Sequence, residues 1–92
     1  MKNGLITQPD GTKTWYLNDQ LHRINGPAYE HPSGIKFWYL NGKRHRINGP
    51  AIEYNGYKEW WLNDKQYDKI SYYNLMVELG HITKTQAFAE MI

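Results

Sequence analysis

The stretch HRINGPA is spelled twice, at His22–Ala28 and at His45–Ala51, inside a longer matching frame. Counting from Gly11, the segment GTKTWYLNDQLHRINGPAYE is followed 23 residues later by GIKFWYLNGKRHRINGPAIE. A third copy begins 22 residues further on as GYKEWWLNDKQYDKI and then leaves the pattern. One short unit, used about two and a half times, thus fills more than half of the 92 residues. A unit this small buries too little apolar surface to fold alone, so it must stack on its neighbours.

Each copy opens with a run rich in strand formers, Lys13–Asn18, Lys36–Asn41 and Lys58–Asn63. Period-two alternation places Trp15 and Leu17, and their equivalents Trp38/Leu40 and Trp60/Leu62, on one face. The residue before the first Trp is Thr14, Phe37 or Glu59, a variation that reads as a solvated position. Each run ends in Asn-Asp or Asn-Gly, the signal for a tight type I′ hairpin. Short return strands follow at Gln20–His22 and Lys43–His45. Asn25-Gly26-Pro27 and Asn48-Gly49-Pro50 then mark a second turn, since proline fixes φ and denies a ladder its donor. Ala28–His31 and Ala51–Tyr54 complete an antiparallel meander.

After the third copy the period changes. Tyr72, Leu75, Met76 and Leu79 stand at i, i+3, i+4 and i+7, one face of a helix, with Gly80 as its stop. Thr83 and Gln86 form a capping-box pair that opens a second helix containing Ala87, Phe88 and Met91. The fold expected is mainly β: a hairpin-repeat sheet over residues 10–67 and a short C-terminal helical cap over 68–92, together one domain.

Composition narrows the function classes. Without cysteine there is no disulfide and no thiolate metal site, so stability rests on packing of four Trp, eight Tyr and two Phe. A net charge of +2 is small for a dedicated nucleic-acid binder. No run approaches a membrane span and no signal peptide opens the chain, so a cytoplasmic protein is expected. No phosphate loop, serine elbow or His-Glu-x-x-His motif is present, and the four histidines lie far apart in sequence. A non-enzymatic protein without cofactor is the reading that follows.

The frame Asn41-Gly42-Lys43-x-His45-x-x-x-Gly49, followed by Tyr54-Asn55-Gly56, resembles the MORN repeat. The WYLNG-x-x-HR-x-x-GPA form is similar to a divergent version in small proteins of tailed phages and large DNA viruses. The resemblance covers roughly residues 10–67 and implies hairpins stacked into an elongated sheet, with a viral origin. Arg23 and Arg46 stand where the usual MORN pattern has glycine, so the lipid association of some members does not transfer.

The pairs His22-Arg23 and His45-Arg46 are the leading site candidates. Repeated at one spacing, they form a row of planar donors suited to carboxylate or phosphate. The alternative is structural, with Arg23 clamped to Glu30 and Arg46 to Glu53 across the Gly-Pro turn. Lys43 and Arg44 enlarge the basic patch, and Tyr39 and Trp61 supply rings. Alternation puts Trp61, Tyr16 and Tyr39 opposite the Trp/Leu face, either beneath the C-terminal helices or open to a partner. Trp, Tyr and Arg dominate interface energetics, so Arg44, Arg46, Trp61 and Tyr39 are the expected anchors for a host protein, a defence or toxin component that a phage-encoded inhibitor would occupy. Nucleotide or nucleic acid held by the His-Arg row is the second expectation. A virion component, or a homodimer through a sheet edge or the aromatic face, is the third.

Overall fold

Both central residues of each expected hairpin turn sit at positive φ: Asn18/Asp19 at 51° and 66°, Asn41/Gly42 at 50° and 77°, Asn63/Asp64 at 48° and 66°. This is the type I′ geometry, whose twist matches the strands it joins. The computed structural model describes residues 1–92. It contains β1 (Gly4–Thr7), β2 (Lys13–Leu17), β3 (Gln20–Leu21), β4 (Tyr29–Glu30), β5 (Lys36–Phe37), β6 (Tyr39–Leu40), β7 (Lys43–Arg44), β8 (Ile52–Tyr54), β9 (Tyr57–Leu62) and β10 (Lys65–Tyr67). Helices α1 (Lys69–Glu78) and α2 (Lys84–Met91) follow.

The main sheet runs β1-β2-β4-β5-β8-β9-β10, all neighbours antiparallel, with β3 also on β2 and β6–β7 as a side pair. Within the first copy, β3 pairs with the far half of β2 (Tyr16↔Leu21) and β4 with its near half (Thr14↔Tyr29). Trp15 sits at the junction: its N–H donates to the Ala28 carbonyl at 2.8 Å and its carbonyl accepts from His22 N–H at 2.9 Å. Trp38 repeats this with Ala51 at 2.7 Å and His45 at 3.1 Å. The heptapeptide is therefore a loop thrown out from the middle of one return arm, in the same way in both copies.

Cross-strand partners share a face of the sheet. Lys13, Glu30, Lys36, Glu53 and Lys58 consequently form one row of alternating charge on the Trp face. On the opposite face, Ile6, Thr14, Tyr29, Phe37, Ile52 and Glu59 form a second row. The residues before the Trp lie in this second row, and the solvated reading fails for the first two. Thr14 is 5% exposed, flanked by Ile6 and Tyr29, and Phe37 stacks on Tyr29 with ring centroids 5.1 Å apart.

The buried residues differ along the array. In the repeats they are small: Ala28 and Ala51 are fully buried where the return arm crosses under its loop. The large ones, Tyr72, Tyr73 and Met76, belong to α1 and pack with Ala87 of α2 against Trp60, Leu62 and Tyr67. The helix begins three residues before the expected apolar stripe because Asp68 caps it, accepting from Ser71 N–H at 2.9 Å. Gly80, at φ 78°, donates to the Val77 carbonyl while His81 donates to that of Met76, a Schellman stop. Thr83 and Gln86 form the expected capping box of α2.

Strand β1 was not anticipated. It lies antiparallel on β2 in the role that β4 plays for β5.

Candidate functional site

The outgoing strands and their return arms place the eight candidate residues on two faces. His22, Arg23, Lys43, His45 and Arg46 lie on the Trp face, since Lys43 pairs with Leu40 and both arginines fold onto the tryptophans. Tyr39, Arg44 and Trp61 lie on the other. The expected anchors therefore do not form one patch: β7 ends at Arg44, and beyond it the chain leaves the strand, so Arg46 folds over Trp38 on the other face although alternation alone would keep residues 44 and 46 on one side.

Arg23 and Arg46 are built into the repeat. Each guanidinium carbon sits 3.8 Å from the centroid of a ring, Arg23 over Trp15 and Arg46 over Trp38. Each donates through Nη1 to the proline carbonyl of its own loop, Pro27 at 3.1 Å and Pro50 at 3.0 Å. Each also meets the expected glutamate, Glu30 at 3.8 Å and Glu53 at 3.4 Å. The glycine of Asn-Gly-Pro completes the arrangement: a Cβ on Gly26 or Gly49 would lie 2.9 or 3.0 Å from the guanidinium carbon. Trp, Arg, Gly, Pro and Glu of the unit are thus one stack. Ring–cation attraction of this kind contributes about 0.5–2 kcal/mol, and a half-exposed ion pair adds about 0–1 kcal/mol.

The histidines join one copy to the next. His22 Nδ1 accepts the N–H of Asn41 at 3.0 Å, and His45 Nδ1 accepts that of Asn63 at 3.1 Å, each at the first turn residue of the following copy. Accepting at Nδ1 requires the neutral ring with its proton on Nε2. Partial burial, and then the neighbouring His81, hold the His45 pKa below its ordinary value. Asn3 performs the same task for Asn18 at 2.8 Å, which explains why β1 belongs to the array.

Between the arginine stacks lies a groove of about 320 Å³ lined by Arg23, Ile24, Trp38, Leu40, His45, Arg46, Ile47 and Asn48. Across the whole Trp face, three lysines of the charged row and the two arginines stand against Glu30 and Glu53. Alternation alone places Lys13, Lys36 and Lys58 beside the tryptophans, but not Glu30 and Glu53 between them. Only the strand register aligns them.

On the opposite face Arg44 lies flat over Trp61, 3.6 Å from the ring centroid. Asp64 holds it there, accepting both the backbone N–H (2.8 Å) and Nε (3.0 Å) of Arg44. These bonds, backbone first, keep the Asp64 carboxyl below the usual carboxylate range. Tyr39 stands directly across from Arg44. Trp61 Nε1 donates to Glu59 at 2.8 Å, and Tyr57 donates to the other oxygen of that carboxylate at 2.7 Å. The helices do not cover this patch; they pack on the Trp60/Leu62 side. Arg44, Tyr39 and Trp61 remain partly exposed.

No His/Cys/Asp/Glu group is arranged to hold a metal ion, and no helix is long and apolar enough to cross a membrane. No family model, no curated protein and no solved structure matches this chain.

Proposed function

We propose that this chain is a non-enzymatic binding protein, of the phage-encoded type its repeat resembles, that inhibits or sequesters a host protein by occupying its surface. The observation that carries this reading is the Arg44–Trp61–Tyr39 patch. Its arginine is already immobilised by Asp64 and its ring, so little side-chain entropy is lost when a partner covers it. The three residue types are those in which binding energy concentrates. Arg46, stacked over Trp38 on the far face, shapes the repeat instead.

Capture from host lysate with mass-spectrometric identification supplies the partner, and Arg44→Glu then tests the patch. Reversing an anchoring charge costs about 2 kcal/mol or more, roughly 30-fold in affinity. Equal affinity of Arg44→Glu and the parent for the captured protein would remove the patch from the mechanism.

A second reading has its own observation. Lys13, Lys36 and Lys58 with the two stacked arginines make the Trp face basic, suited to a phosphate-bearing ligand such as nucleotide or nucleic acid. Binding there should weaken linearly in log salt, and Lys36→Glu, not Arg44→Glu, should abolish it.

A further inference from the structure

Strand β1 forms one end of the sheet and pairs only with β2; its outer edge has no partner within the chain. The strands that occupy the same place in the array do not stop there. β4 carries β2 on one edge and β5 on the other, and β8 carries β5 and β9. At the far end, Tyr67 of β10 packs against the helices and Lys65 places a charge on that strand. Edge strands are normally blunted by proline, charge or a covering element. Gly4-Leu5-Ile6-Thr7 has no proline and no charge, and all four residues are exposed, Leu5 at 51% and Ile6 at 37%.

The backbone polarity of that edge follows from the β1–β2 ladder. Gln8 N–H donates to the Thr12 carbonyl at 2.8 Å, and Thr14 Oγ1 donates to the Ile6 carbonyl at 3.4 Å. Ile6 and Gln8 therefore turn their backbone groups inward, and antiparallel alternation directs the N–H and C=O of Leu5 and Thr7 outward.

We propose that this edge pairs with β1 of a second copy, joining two chains into one continuous sheet about a two-fold axis through Ile6. In that register Leu5 of each chain faces Thr7 of the other, and the outward groups make four backbone hydrogen bonds. The two Ile6 residues meet at a non-hydrogen-bonded site, with Cα atoms about 4.5 Å apart. Their side chains prolong the row Ile6–Thr14–Tyr29–Phe37–Ile52 across the junction without a break. The occupant is a second copy because Leu5-Ile6-Thr7 is complementary to itself about its centre and presents no charge for a different partner to match. An axis perpendicular to the sheet keeps faces aligned, so the dimer displays two Arg44–Trp61 patches on one side. The inference does not depend on what those patches bind.

Sedimentation velocity of the full chain between roughly 10 µM and 1 mM spans the range in which so small an interface dissociates. A concentration-dependent shift from monomer to dimer is expected, and Ile6→Lys, which places two cations face to face, should abolish it with unchanged circular dichroism. The chain has no native cysteine, so Ile6→Cys gives a unique probe. It should cross-link quantitatively under mild oxidation. Leu5→Cys, whose two copies are offset by two residues each way, should not. A monomer at every concentration, a dimer unaffected by Ile6→Lys, or equal cross-linking of both cysteine variants would overturn the proposal.

Discussion

The first two copies and the third cover the same indole in different ways. Trp15 and Trp38 are roofed by a guanidinium from their own loop, whereas Trp60 lies under Tyr72 and Tyr73 of α1, with ring centroids 6.5 and 6.2 Å away. One position separates the two solutions. Where Arg23 and Arg46 stand, the third copy has Asp68, whose carboxylate caps a helix and cannot roof a ring. An arginine roof tolerates water at its edges and needs only its own loop, so it lets a repeat remain thin. A helix excludes water and builds a core. The two solutions are tied together, because the Tyr72 hydroxyl donates to the Arg46 carbonyl at 2.6 Å and accepts from Gly49 N–H at 3.2 Å. Burial pushes the pKa of that phenol up to about 12, so it keeps its proton at any working pH.

The sharpest break in this comparison is Tyr72→Ala. It empties the largest fully buried side chain of the cap and should cost about 3–5 kcal/mol in chemical denaturation, as for other buried ring deletions. Hydrogen exchange in β9 and α1 should rise well before that in β2. If all amides lose protection together, the cap and the repeats are one cooperative unit and the division drawn above is wrong.

A smaller effect is expected from Gly26→Ala, which forces a methyl against the Arg23 guanidinium and far from the helices. Displacing the roof should cost about 1–3 kcal/mol, in the range of other overpacked sites. The Trp15 emission should also shift to longer wavelength. An unchanged melting temperature would show that the stack contributes nothing.

The smallest change sharpens the link between copies. The folded state holds His45 below its ordinary pKa, so the unfolded chain binds the proton more readily. Stability must then rise with pH through that window, and it is lost as pH falls from about 6.5, the ordinary histidine value, through the lowered one. His45→Asn places an acceptor on the same Cγ, as Asn3 already does for the first turn. Little stability should change at pH 8, while the slope of melting temperature between pH 7 and pH 5 should flatten. A slope that persists in this variant would assign the acid sensitivity to another group.

The repeat frame, hairpin turns and both helices were legible in the sequence because each rests on a local signal: Asn-Gly or Asn-Asp pairs, a stripe at helical spacing, a capping box. The Arg23–Glu30 and Arg46–Glu53 clamps were legible as one of two readings. What was hidden depended on direction. That Arg23 turns back onto Trp15, eight residues earlier, follows from the loop leaving mid-arm, and nothing local announces this. The split of Arg44 from Arg46 runs against simple alternation, which keeps residues two apart on one face; it arises because the chain leaves the strand after Arg44 and Arg46 folds back onto Trp38. β1 was invisible because its four residues resemble no part of the repeat; only Asn3, acting as a histidine does, reveals its place.

The histidine–amide joint is made wholly between one copy and the next, and each roof is made wholly within a copy. A further 23-residue unit spliced between Ser33 and Gly34 would therefore find matching joints on both sides. Every such insertion adds two strands, about 10 Å, so the length of the sheet is set by the number of units.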